Sequence, residues 1–103
     1  MLGKRRFADL ISRQLDLFVR GELELLEACD AAERAYDGAE RGEAEERYGE
    51  YQDLVETGTE ILADLRDHFA STLDEEAGEE YEDEFNRAVA KRLPRFALEI
   101  ENR

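Results

Sequence analysis

The side chains best suited to chemistry lie close together. In the stretch TGTEILADLRDHF, residues 57 to 69, the only histidine of the chain follows Glu60, Asp64 and Asp67. Carboxylate oxygens and an imidazole nitrogen are the donors a divalent metal takes, provided that they converge. A carboxylate-bridged, ferritin-like metal bundle also needs inward-pointing glutamates and a Glu-x-x-His spacing on two helices. Here Leu65 stands three residues before His68, and there is no second histidine. Asp64, Asp67 and His68 are therefore weak metal candidates, which only acids from another subunit could complete.

The other reactive groups point no more firmly to catalysis. Cys29 is a lone thiol on an apolar face, where a small core residue is the simpler role. One His and one Cys form no acid–base–nucleophile set unless the fold joins them, and Ser12 and Ser71 have no predicted base nearby. Gly38 and Gly42 make no phosphate cradle, because Glu40 between them opposes an anion. No catalytic residue and no cofactor follow from this pattern. The expectation is a protein that is not an enzyme.

The elements that position these groups are helices. Ala44, Tyr48, Tyr51, Val55, Gly58, Leu62, Leu65 and Phe69 recur at alternating spacings of four and three. Such a repeat keeps one face toward a neighbour and predicts a helix over 43–73 with coiled-coil character. Leu54 and Ile61 widen the stripe. Glu60, Asp64 and Asp67 then face water, and His68 falls at the core's edge. Gly58 costs the helix about 1 kcal/mol against alanine, so a close approach by a neighbouring backbone is expected there.

A first helix is predicted over 6–37. Phe7, Ile11, Phe18, Leu25, Cys29, Ala32 and Tyr36 make one stripe, and Leu15, Val19, Leu23 and Leu26 make a second. A helix apolar on two sides needs cover on both. Gly21 between the stripes marks a kink or a tight crossing. Asp37-Gly38 and Gly42 delimit a connection over 38–42. A third helix is expected over 79–93, its start acidic and its end basic as the helix dipole favours, closed by Pro94. After Pro94 the pattern fits either an extended arm or a final helical turn.

The fold class is thus all-α: a long antiparallel helical hairpin plus a shorter third helix, one domain over 1–103. The third helix is too short to cover the stripe Leu15, Val19, Leu23 and Leu26. This stripe is the expected interaction surface, and a homodimer pairing two hairpins into a four-helix core would bury it.

Charge narrows the partners. The net charge is −14, and residues 22–84 set 24 carboxylates against Arg34, Arg41, Arg47 and Arg66. Such a surface repels nucleic acid phosphates. A basic protein partner fits it, as does plain solvation. The leading expectation is a non-enzymatic acidic interaction or scaffold module. A metal-binding bundle is one alternative. A membrane-surface adaptor is another, because Lys4 to Arg6, Arg13 and Arg20 oppose Phe7, Leu10, Ile11, Leu17 and Phe18. Packing in the core accounts for the same apolar residues without lipid. No run approaches the twenty apolar residues of a bilayer helix, and charges interrupt any signal-peptide core. The single cysteine fits a reducing compartment, so a cytoplasmic location is expected.

Overall fold

The computed structural model describes residues 6–103. Among them the chain is all-helical. The elements are α1 (Ala8–Gly21), α2 (Leu23–Asp37), α3 (Ala44–Ala70) and α4 (Glu75–Arg92), then a 3-10 turn (Pro94–Phe96) and a short α5 (Ala97–Glu101). Lys4 and Arg5 of the basic N-terminal cluster lie outside the described residues.

The single first helix expected over 6–37 is two. Glu22 leaves the helical region (φ −120°, ψ 33°), although its N–H still reaches the Phe18 carbonyl at 2.9 Å. The two pieces pack differently: α1 lies on α4, whereas α2 lies along α3. Nothing approaches the missing Cβ of Gly21 within 4 Å, so this glycine accompanies a kink and not a tight crossing.

Further along the chain, α3 changes partners. Its first half runs beside α2, with Tyr36 and Tyr48 in ring contact at 5.3 Å near the connecting loop. Its last turns meet α4, where Phe69 and Tyr81 lie 4.8 Å apart and Arg66 donates to Asn86. The heptad spacing therefore does not describe one helix pair wound together along the whole of α3. Val55, Gly58 and Leu62 are buried as expected, but so are Thr59, Ala63 and Arg66. The stripe is wider because the C-terminal turn and α5 also pack against α3. Tyr48, expected to face inward, is 46% exposed, since only α2 accompanies that end of α3.

α4 starts one turn before the expected residue 79. Asp74 caps it, its carboxylate accepting the Ala77 N–H at 2.9 Å. Glu75 and Glu76 then sit in the first turn, where negative charge is favoured. After Pro94 the chain takes the helical alternative, and the 3-10 turn delivers Phe96 to the core.

That core joins Ile11, Leu15 and Phe18 of α1 to Val55 and Leu62 of α3. Tyr81, Phe85 and Val89 of α4 complete it with Phe96 and Ile100 of the tail. The neighbour that approaches Gly58 is the Phe96 ring and not a backbone. A Cβ at position 58 would lie 2.5 Å from Phe96 Cε1.

Candidate interaction surface

The helix exchange divides the molecule into a body and an arm. The body holds α1, α4, the second half of α3 and the tail. The arm is α2 with the first half of α3, and the whole particle measures 50 × 24 × 24 Å. Between Leu23 and Leu54 only Cys29 is buried. Residues 22–56 carry thirteen carboxylates against Arg34, Arg41 and Arg47. Few apolar side chains pack here and many like charges crowd two helices, so the arm is the more accessible of the two parts and carries the larger net charge, −10 against −6 for the described body.

Two cations of the tail reach the arm: Arg103 lies 3.8 Å from Glu56, and Arg95 makes the closer contacts. Arg95, delivered by the 3-10 turn, reaches Glu33 Oε1 at 2.6 Å and Asp30 Oδ1 at 3.0 Å on α2. Its Nε donates to the Tyr51 hydroxyl at 3.1 Å, and the guanidinium lies 5.6 Å from that ring's centre. Burial opposes its charge, but the bonds to Tyr51, Glu33 and Asp30 outweigh burial and raise its pKa above the usual arginine range. Cys29 lies buried close to this cluster. Burial pushes its thiol up, and the nearby Arg95 only partly offsets this. In sequence Arg95 reads as one of four bases at the end of a helix. No spacing pattern links it to Glu33, sixty-two residues away.

The stripe expected to be an interaction surface is split by the kink. Leu15 is 1% exposed and sits in the core of its own chain; Val19 and Leu26 are half-buried against that core. Only Leu23, 53% exposed, remains open. The cover that a second subunit was expected to give Leu15 comes from its own chain, with α1 packed on α4. The open apolar side chains are instead Leu17, Leu23, Leu98 and the paired Tyr36 and Tyr48.

Glu60, Asp64, Asp67 and His68 all lie exposed on α3. The nearest partner of Asp67 is Arg66, at 2.8 Å. Among the described residues no three His, Cys, Asp or Glu side chains gather as a metal site. The side chains of Ser12, Ser71, Cys29 and His68 are not hydrogen-bonded to one another: the Ser71 hydroxyl donates to the His68 backbone carbonyl, not to its ring. Along α1, Ile11 and Phe18 are buried in the core and Phe7 and Leu10 pack against it, which leaves Leu17 as the exposed large apolar residue of that helix. No helix among the described residues is long and apolar enough to cross a membrane.

Compared with family models, with curated proteins and with solved structures, the chain matches none. Its function must be argued from its own surface.

Proposed function

We propose that the protein is a non-enzymatic helical interaction module whose acidic arm receives a basic protein segment. The observation that carries this reading is the coincidence of exposure and charge on the arm: eleven carboxylates, three arginines and one buried residue between Leu23 and Leu54. A surface of one sign speeds encounter with the opposite sign and repels wrong partners. The arm already accepts one guanidinium from its own tail, using carboxylates of α2 and a tyrosine of α3.

A titration with a helical peptide rich in arginine and lysine tests the proposal. The Debye length falls from about 10 Å at 0.1 M salt to about 3 Å at 1 M. Affinity should therefore fall at least about tenfold over that range. Changing Glu43, Glu45, Glu46 and Glu50 to glutamine should weaken binding. The same change at Glu75, Glu76, Glu79 and Glu82 on the body should have a smaller effect. Binding that ignores salt, or that treats both sets alike, refutes the assignment to the arm.

The exposure of Leu23, Tyr36 and Tyr48 (53%, 39% and 46%) favours a second reading, a homodimer joined through its arms. Salt separates the two readings because the signs are opposite. Screening weakens a basic partner's attraction but relieves repulsion between two chains of charge −14. Light scattering that returns 11.9 kDa at low and high salt alike counts against the dimer.

A further inference from the structure

A groove of about 430 Å³ lies between α1 and α4, on the body and away from the acidic arm. The two helices run in the same direction along it. The Phe7 N–H meets Glu84 at one end, and the Ser12 carbonyl and the Asp16 carboxylate meet Arg92 at the other. Ala8, Ile11, Leu15 and Ala88 supply an apolar floor, and small side chains on both helices leave the space open.

The groove is electrically polarised. Glu84 lines one end and is 8% exposed. Its Oε1 accepts the Phe7 N–H at 3.1 Å, while Oε2 is buried with no hydrogen-bond partner among the described residues. A buried acceptor left unpaired is costly, so a donor at that point is favoured. Arg87 and Lys91 follow on the same face of α4, with no ion-pair partner among the described residues. From Glu84 to Lys91 the helix rises about 10 Å.

We propose that this groove binds a linear aliphatic molecule with an anionic head at the Lys91 end and a hydrogen-bond donor at the Glu84 end. An ω-hydroxy carboxylate is the simplest member of that class. Each part of the ligand answers one part of the groove. The head pairs with Lys91 and Arg87, and the stem lies on Ile11, Leu15 and Ala88. The hydroxyl donates to the free oxygen of Glu84. Reaching that buried oxygen requires the carboxyl to turn about its soft terminal torsion. The Glu84 carboxylate also fixes direction, because it repels an anionic head placed at its own end.

Amide NMR spectra of the full chain, titrated with ω-hydroxyoctanoate, octanoate and octanol, test the assignment. Saturable shifts are expected over residues 8–15 and 84–92. The hydroxy acid should bind about threefold or more tighter than octanoate, and about tenfold or more tighter than octanol, as expected for one hydrogen bond and one ion pair. Lys91→Ala should weaken both acids and leave octanol unchanged. Glu84→Gln, which keeps an acceptor for Phe7, should reduce the advantage of the hydroxyl, and Ala88→Phe should fill the groove and end binding of all three. The proposal is overturned if shifts do not saturate or map elsewhere. It is equally overturned if octanol equals the acids, if the hydroxyl gives no advantage, or if Lys91→Ala binds as the parent does. The Lys91 substitution is exposed and leaves the core untouched, so the test stands even if Ala88→Phe fails to fold.

Discussion

An alanine at position 58 should destabilise the fold, although the backbone there accepts one readily. No described glycine has a positive φ, and position 58 lies inside a regular helix, where alanine is favoured over glycine by about 1 kcal/mol. Against this stands the Phe96 ring. The new methyl would lie 2.5 Å from Cε1 and 2.7 Å from Cζ, roughly an ångström inside ordinary carbon contact. The ring has little room to retreat: Phe96 is 1% exposed and meets Phe18 edge-on at 6.1 Å. Forcing one extra carbon into such a site costs about 1–3 kcal/mol, and expelling the ring altogether costs about 3–5 kcal/mol.

A 2.5 Å approach to an enclosed ring sets the overpacking cost at its upper end, so the net loss for Gly58→Ala is about 2 kcal/mol, or roughly 10 °C in Tm for a domain of this size. Urea unfolding followed by far-UV circular dichroism measures it. The decisive comparison is the same substitution in a Phe96→Ala background, which removes the obstacle. There the helix propensity acts alone, and Gly58→Ala should stabilise by up to about 1 kcal/mol. The sign of one substitution thus reverses with a residue thirty-eight positions away. A neutral or stabilising Gly58→Ala in the parent, or an equal effect in both backgrounds, refutes the packing argument.

Four further outcomes concern polar and titratable side chains. Burial pushes the Tyr81 hydroxyl up to about 12, with Gln14 giving partial relief, while an unfolded tyrosine titrates near 10. Above about pH 10 the unfolded chain loses that proton first, so stability is complete below pH 10 and falls toward pH 12; denaturant melts of the parent should show a steeper decline there than those of Tyr81→Phe. Arg66→Met keeps the side chain's bulk but leaves Asn86 and the Ile100 carbonyl without their donor, at a cost of about 2 kcal/mol in urea melts. Asp67→Asn should cost less than about 0.5 kcal/mol, because that carboxylate is 55% exposed. Cys29 is fully buried, and burial disfavours its thiolate; its reaction with a thiol reagent should therefore follow opening of the fold, and fast labelling under native conditions would contradict the structure.

Much of the helical content is legible in the sequence, because heptad spacing and terminal charges are local signals. Val55, Gly58 and Leu62 can be placed inward from their spacing alone, and Glu60, Asp64 and Asp67 outward. The kink at Glu22 is only half legible: Gly21 marks it, but the choice of α4 for α1 and α3 for α2 depends on contacts distant in sequence. Arg66 and Glu84 are missed for another reason. Each reads as one more charge on a polar face, and only the arrival of Ile100 and Phe7 from elsewhere buries it. Arg95 is missed in the same way, since its partners Asp30 and Glu33 are chosen by the tail's path. The interaction stripe fails at Leu15 because the kink turns that residue into the core, whereas a straight helix would have kept it in line with Leu23.

The division into body and arm bears on the proposed function through stability. α3 is 27 residues long, about 40 Å of continuous helix, and only its second half is enclosed by other elements. Its first half and α2 bury little beyond Cys29 and Val55, and their carboxylates repel one another. Apolar burial is the main term favouring a helix pair, so the arm stands near the weak end of the fold's local stability. Two features offset this: continuity with the enclosed half of α3, and the Arg95 clasp at Tyr51, Asp30 and Glu33. A basic segment laid on the arm supplies more of what Arg95 already supplies, countercharge together with contact to exposed tyrosine. Its binding energy would then appear partly as ordering of the arm, with amide exchange slowing over residues 23–54 more than in the body. The charge that makes the arm receptive is the same charge that leaves it weakly held.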